Sequence, residues 1–260
     1  MIDFSSITTL LFDIDNTLLS FDEKMFIGIY GKHIHNYFIK EIPSYSEFMR
    51  IFLKSTNKMI EKEPYDRNLK KFADDFESEI SMNSDEIIAR FQHFYQNEFS
   101  KLHSIMKPIP IAKDLIKLAE KHFTIVAATN PLFPEVANEI RLSWAGLSSK
   151  EVNWAEVTSA DDYHYAKPHI EYYQEILERI NKTPRECMMI GDDKINDMIA
   201  GRIGIKTYLV KNDNKKFSKM ITTDLDFENP DLPFDYTGSL EFFYEVLTEY
   251  LNKNRLKDRF

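Results

Sequence analysis

The sequence has a single cysteine, no long apolar run and no excess of positive charge. Cys187 is the only cysteine among the 260 residues, which excludes a disulfide bond within the chain. No segment approaches the roughly 20 apolar residues of a membrane-spanning helix, and the N-terminus lacks a basic region followed by an apolar stretch. The formal net charge of −9 disfavours nucleic acid and anionic membranes as partners. These absences predict a soluble, cytoplasmic protein.

Histidine and cysteine, two common types of reactive side chain, form no pattern that indicates a site. The seven histidines lack the spacing of a zinc site, since His33 and His35 would point to different faces of one helix. Cys187 is followed by Met188, Met189 and Ile190, which predicts a thiol buried in a strand. We expect this thiol to be inert.

Two aspartates, Asp13 and Asp15, follow the short apolar run of residues 7–12. The run predicts a buried strand that carries both carboxylates at its carboxyl end. Like charges this close repel one another. The pair persists only if a cation lies between the carboxylates or if one of them holds a proton. Both conditions are typical of a reaction centre.

The segment after this strand, residues 21–105, has almost no strand signal. Apolar residues recur there every three or four positions, as on one face of a helix. Pro43 and Pro64 interrupt the pattern, while Ser44 with Glu47 and Asn83 with Glu86 are typical of helix N-termini. The sequence therefore predicts an all-helical insertion of four helices.

From Pro108 onward, helical patterns alternate with short apolar runs, which indicates a parallel sheet built from strand-helix units. The predicted strands are residues 123–128, a short strand near Val157, residues 187–190 and residues 205–210. Residues 211–238 lack a regular pattern and predict a long loop or short elements that the periodicity does not reveal.

Four groups of polar residues lie at the ends of predicted strands in this parallel part. They are Asp13 with Asp15, Thr129 with Asn130, Lys167, and Asp192 with Asp193 and Asp197. Ligands of open parallel sheets bind beyond the carboxyl ends of the strands. We therefore expect these side chains to converge on one crevice.

In order and spacing, these motifs resemble the four motifs of the haloacid dehalogenase superfamily. The matching residues are Asp13-Ile14-Asp15-Asn16-Thr17, Thr129, Lys167-Pro168, and Gly191-Asp192-Asp193 with Asp197. Each motif alone also fits turn or helix-cap chemistry, so only their combination is specific. The resemblance implies an α/β fold with a doubly wound, Rossmann-like parallel sheet. It divides the chain into a core domain of residues 1–20 and 106–260 and a helical cap domain of residues 21–105.

The residue types themselves suggest phosphoryl transfer. The carboxylate of Asp13 can attack a phosphoryl group and form an aspartyl-phosphate. Asp15 can then protonate the leaving oxygen and later take a proton from the attacking water. Thr129 offers a hydroxyl group, Asn130 a backbone amide and Lys167 a positive charge to the phosphate oxygens.

A phosphate and several aspartates share a pocket only with a cation, and Mg²⁺ suits oxygen ligands. The resemblance implies that the ligands are the side chains of Asp13 and Asp192 and the backbone carbonyl of Asp15. It places Thr17, Asp193 and Asp197 just outside this set, where they would orient the ligands or a bound water.

The expected function is a Mg²⁺-dependent phosphatase that acts on a small phosphorylated metabolite. A sugar phosphomutase could use the same two aspartates and remains the main alternative. A haloacid dehalogenase needs neither a metal nor a second acid, and Asp15 disfavours it. A non-catalytic binding protein would not need the complete set of acids. The sequence leaves the substrate and the oligomeric state open.

Overall fold

The computed structural model describes residues 2–211 and 232–257. In chain order, the strands are β1 (Thr9–Phe12), β2 (Leu19–Ser20), β3 (Lys107–Pro108), β4 (Thr124–Ala127), β5 (Glu156–Val157), β6 (Cys187–Gly191), β7 (Lys206–Val210) and β8 (Tyr236–Gly238). The α-helices are α1 (Glu23–His35), α2 (Tyr45–Ile60), α3 (Asn68–Glu77), α4 (Ser84–Asn97), α5 (Ala112–Ala119), α6 (Glu135–Trp144), α7 (Ile170–Ile180) and α8 (Leu240–Lys257). Short 3₁₀ helices span Phe99–Ile105, Pro184–Glu186 and Met198–Ile203.

Six strands form one parallel sheet in the order β5-β4-β1-β6-β7-β8. The chain builds the sheet outward from β1, first on one side through β4 and β5 and then on the other through β6, β7 and β8. The strand order therefore reverses at β1, and the crevice at such a point is the usual ligand site of this architecture. The α/β class and the doubly wound parallel sheet predicted from the sequence are confirmed.

The central strands are buried throughout because helices cover both faces of the sheet. All four residues of β1 and all five of β6 are buried. Leu10 and Phe12 of β1 belong to one apolar cluster, whereas Leu11 between them belongs to another. This alternation reflects the pleat of the strand, which sends successive side chains to opposite faces.

The four predicted helices of residues 21–105 are present, and we call this segment the helical insertion. Side chains accept hydrogen bonds from backbone amides at three of the four helix starts: Asp22 for α1, Ser44 for α2 and Asn83 for α4. Phe38, in the turn after α1, packs against Phe48 of α2, Phe76 of α3 and Phe91 of α4.

Helix α3 begins without a side-chain cap and takes its hydrogen-bond acceptors from the core instead. The backbone amide of Asn68 donates to the carbonyl of Tyr163, and that of Leu69 donates to the carbonyl of Ala160, both at 2.8 Å. The side-chain amide of Asn68 also donates to the carbonyl of Pro131 at 3.3 Å. The insertion is thus bonded to two loops of the core.

Several elements differ from the sequence prediction. The strands β2 and β3 form an antiparallel pair where the chain enters and leaves the insertion. This pair was not predicted, because strands of two residues have no periodic pattern in the sequence. Residues 212–231 of the predicted loop lie outside the described residues, but residues 236–238 form the edge strand β8. Within the described part of the chain, no helix is long and apolar enough to cross a membrane.

Candidate active site

The predicted site residues of the first, second and fourth motifs converge because β1 lies between β4 and β6. The strands are paired in register, so that Phe12 lies beside Ala127 on one side and Ile190 on the other. Backbone hydrogen bonds continue past the strand ends, from the amide of Asp13 to the carbonyl of Ile190 at 2.9 Å. Asp13, Thr129 and Asp192 therefore emerge at one edge of the sheet.

Lys167 lies in the loop between β5 and α7 and not at a strand end as predicted, and it is a buried cation between two carboxylates. Its Nζ donates to Oδ1 of Asp13 at 2.8 Å and to Oδ1 of Asp197 at 2.6 Å. Burial alone would lower the pKa of Lys167, but these two carboxylates outweigh it and hold the pKa well above its usual value. Lys167 is therefore a fixed positive charge in the site.

The pKa of Asp13 is raised well above its ordinary value. Burial is the main cause; Lys167 opposes it, and the charges of Asp197, Asp15 and Asp192 add to it. Burial likewise raises the pKa of Asp197. The shifts have a simple origin, since several carboxylates share one ammonium group in a site with little water.

A divalent cation fits this group of acids. Asp13, Asp192 and Asp197 can each place one carboxylate oxygen within 4.8 Å of the others. Lys167 balances one of the three negative charges, which leaves two for a hard cation with oxygen ligands. Both oxygens of Asp197 already accept hydrogen bonds, from Lys167 and from the amide of Asp193 at 2.9 Å. Its geometry thus suits an orienting residue better than a metal ligand.

Asp193 has a different structural role from Asp197, although the sequence analysis gave both residues the same role. Its Oδ1 accepts hydrogen bonds from the amides of Ile195 and Asn196, both at 2.8 Å. Asp193 shapes the turn after β6, and its backbone amide donates a hydrogen bond to Oδ2 of Asp197. Thr17, also predicted beside the ligands, is fully buried, and its hydroxyl has no hydrogen-bond partner among the described residues.

Asp15 is paired with Arg141, a residue that the sequence analysis missed. One guanidinium nitrogen of Arg141 contacts Oδ2 of Asp15 in an ion pair. The other carboxylate oxygen, Oδ1, is buried and has no hydrogen-bond partner in the described ranges. The ion pair therefore holds one oxygen of Asp15 and leaves the second available.

Arg141 is itself rigidly placed on α6, with only 2% of its surface exposed. Its Nη1 donates to Oδ1 of Asn138 at 2.6 Å, and its Nη2 donates to the hydroxyl of Thr129 at 3.3 Å. The guanidinium group also lies 4.9 Å above the centre of the Phe133 ring. The only local signal in the sequence is a polar pair, Asn138 and Arg141, spaced to share one face of the helix that follows Thr129.

Thr129 and Asn130 hold the second side of the crevice. The carbonyl of Thr129 accepts hydrogen bonds from the hydroxyls of Thr158 at 2.6 Å and Tyr172 at 2.7 Å. Oδ1 of Asn130 accepts a hydrogen bond from the backbone amide of Lys167 at 3.1 Å. Asn130 thus positions the Lys167 loop, a contact that was not predicted from the sequence.

One family model and several solved structures match the chain. The model of a family described as haloacid dehalogenase-like hydrolase matches residues 7–204. A search of curated proteins gives no match. Among solved structures, the chain is similar to a HAD phosphatase from Thermococcus onnurineus, with 18% identity and a TM-score of 0.55 over 93% of this chain and 98% of that one. It is also similar to a proposed HAD-hydrolase, YfnB of Bacillus subtilis bound to magnesium, with 19% identity and a TM-score of 0.55 over 93% and 99% of the two chains. A proposed beta-phosphoglucomutase from Thermotoga maritima matches with 19% identity and a TM-score of 0.53 over 94% and 99%. At these identities the likenesses establish the fold.

Proposed function

The chain belongs to the haloacid dehalogenase-like hydrolases, and on this premise we propose that it is a Mg²⁺-dependent phosphatase acting on a small phosphorylated metabolite through an aspartyl-phosphate. The observation that carries the proposal is the second carboxylate, Asp15. It lies close enough to Asp13 to raise the pKa of that carboxyl, and Arg141 holds one of its two oxygens. A hydrolase that displaces halide needs an aspartate nucleophile but has no use for this second acid.

In the first step, a carboxylate oxygen of Asp13 attacks the phosphorus atom and the bond from phosphorus to the leaving oxygen breaks. Oδ1 of Asp15 gives a proton to that leaving oxygen, so that a neutral alcohol departs. In the second step, Asp15 takes a proton from water as the water attacks the aspartyl-phosphate. Inorganic phosphate leaves, and both aspartates return to their starting state.

Two side chains would stabilise the negative charge on the phosphoryl oxygens. The ammonium of Lys167 lies against Asp13 and can contact the same oxygens electrostatically. The hydroxyl of Thr129 accepts a hydrogen bond from Arg141, so its own hydrogen is free to donate to the phosphate. Mg²⁺, bound by Asp13, Asp192 and the carbonyl of Asp15, would supply further positive charge to these oxygens.

Arg141 would act as a positioning residue. By holding Oδ2 of Asp15, it fixes the side chain so that Oδ1 is the oxygen that exchanges protons. Its own contacts with Asn138 and Phe133 prevent it from following small movements of Asp15. The orientation of the acid would therefore come from α6 and not from the loop that carries Asp15.

Hydrolysis of p-nitrophenyl phosphate by the purified protein tests the proposal. We expect turnover with Mg²⁺, no turnover with excess EDTA, and none for Asp13→Asn under either condition. Asp15→Asn should retain phosphate binding and lose turnover. Wild-type protein without metal-dependent turnover on any of a panel of phosphate esters would refute the proposal. Movement of phosphate between two positions of a hexose without its release would instead favour the phosphomutase.

A further inference from the structure

A concave apolar pocket lies where the helical insertion meets the core. Side chains from α1, α2, α3 and α4 line it on one side, and residues 132–134 of the core line it on the other. The lining includes Phe26, Tyr30, Phe52 and Tyr95, and none of its side chains is charged. Sugar and carboxylate groups would find few polar partners there, and burying a polar group without a partner is costly.

Phe133 connects this pocket to the proposed reaction centre. One side of the ring lines the pocket, and the guanidinium group of Arg141 lies 4.9 Å from the ring centre. Arg141 in turn holds Asp15, the residue proposed to protonate the leaving oxygen. A leaving group bound to that oxygen must lie on the Asp15 side of the phosphorus atom. The pocket is therefore placed to receive it.

The pocket is not simply the closed interior of the insertion. Several of its apolar side chains are only partly buried, including Ile27, Phe52, Leu53 and Leu132. A concave surface of this kind, open on one side and apolar within, is typical of small-molecule sites. The rest of the interior, such as Phe38 and Phe76, is fully buried.

The polar side chains of the lining are Thr56, Tyr30 and Tyr95. The hydroxyl of Thr56 donates to the carbonyl of Phe52 at 2.8 Å. The hydroxyls of Tyr30 and Tyr95 are 2.6 Å apart, so one donates to the other. The second hydroxyl hydrogen of this pair has no acceptor in residues 2–211 or 232–257. Burial raises the pKa of Tyr95, and the hydrogen bond with Tyr30 and the charge of Arg141 oppose the rise, which indicates that Arg141 is close. The pair can therefore offer one hydrogen bond to an acceptor on a bound molecule.

We propose that this pocket binds the leaving group, and that the substrate is a phosphate monoester of an uncharged and largely apolar alcohol. The proposal rests on the proposed phosphatase function and specifies its substrate class. The cavity volume is about 50 Å³, so a short branched aliphatic group would fill the pocket, and one acceptor oxygen on it would meet the Tyr30 and Tyr95 hydroxyls.

A panel of primary alkyl phosphates tests this class, because their leaving alcohols have similar intrinsic reactivity. We expect kcat/KM for isobutyl phosphate to exceed that for glucose 6-phosphate and for 2-phosphoglycolate by at least tenfold. The alcohol 2-methylpropan-1-ol should inhibit competitively. An active enzyme that hydrolyses either polar ester as well as isobutyl phosphate would overturn the inference while the phosphatase function stands. A protein inactive on every ester would overturn both.

A matched pair of variants locates the effect. Leu53 lines the pocket, whereas Ile88 on α4 is a similar, partly buried apolar residue that does not. Leu53→Gln should reduce the ratio of kcat/KM for isobutyl phosphate to that for methyl phosphate by tenfold or more. Ile88→Gln should leave the ratio within twofold of wild type. Equal ratios in the two variants would place the selectivity elsewhere and refute the role of the pocket.

Discussion

Replacement of Gly191 by alanine should lower both stability and turnover, because the added Cβ atom would clash with the side chain of Asp197. Gly191 ends β6, and its φ angle lies outside the left-handed region that favours glycine. A Cβ atom at this position would lie 2.1 Å from Oδ2 of Asp197 and 2.4 Å from its Cγ. Carbon atoms in contact normally stay about 3.5 Å apart, so Asp197 must move by more than about 1 Å.

Asp197 cannot move at low cost. It is 1% exposed, and its two oxygens accept hydrogen bonds from Lys167 and from the amide of Asp193. Overpacking of a rigid interior costs about 1–3 kcal/mol, which corresponds to a fall in Tm of about 2–12 °C for a chain of this size. Displacement of Lys167 by about 1 Å should also lower kcat by about a hundredfold.

Gly28→Ala is the matched control, because the same chemical change should have the opposite effect there. A Cβ atom at Gly28 would meet nothing within 4 Å, and the residue lies inside α1. Alanine is the better helix former by about 0.8–1 kcal/mol, so the Tm should rise by about 2–4 °C. Thermal unfolding followed by circular dichroism and kcat for p-nitrophenyl phosphate measure both effects. A Gly191→Ala protein with the Tm and kcat of wild type would refute the steric reasoning.

Three further predictions concern the site and the thiol. Arg141→Met should lower kcat for p-nitrophenyl phosphate by about ten- to a hundredfold, because Asp15 must still take a proton from water in the second step. The loss for alkyl phosphates, whose leaving oxygens also need a proton, should be at least as large; an unchanged kcat on both esters would contradict the positioning of Asp15 by Arg141. Burial raises the pKa of Cys187 to about 12, so only about one thiol in 10⁴ is ionised at pH 8. Ellman's reagent should therefore label the protein only after it is unfolded in guanidinium chloride. Fast labelling of the native protein would show that the thiol is accessible. Mg²⁺ at a hundred times its Kd should raise the free energy of unfolding of the wild type by about 2.7 kcal/mol and that of Asp192→Asn by much less. A Tm that rises equally in both proteins would exclude Asp192 as a ligand.

The sheet could be predicted in large part because its central strands are buried on both faces. Residues of β1, β4 and β6 form short, largely apolar runs, which only a covered sheet can bury. The strands β2 and β8 contain two and three residues, too few for any pattern in the sequence. Their existence depends on pairing with distant segments of the chain.

The candidate site could be predicted to the extent that topology determines it. Asp13, Thr129 and Asp192 all follow strands of one parallel sheet, and parallel strands bring their carboxyl ends to one edge. Arg141 differs, because it reaches the site from inside a helix through tertiary packing. Its sequence neighbours do not distinguish it from an exposed arginine. The separate parts of Asp193 and Asp197 likewise depend on the turn that follows β6.

The way α3 begins has a consequence for hydrogen exchange. The amides of Asn68 and Leu69 are bonded to carbonyls of the core, whereas the first amides of most helices are bonded within their own segment or to water. If the insertion swings away from the core, these two amides lose their acceptors while the hydrogen bonds within α3 persist. Their exchange with deuterium would then report how often the two parts of the molecule separate, independently of any substrate or metal.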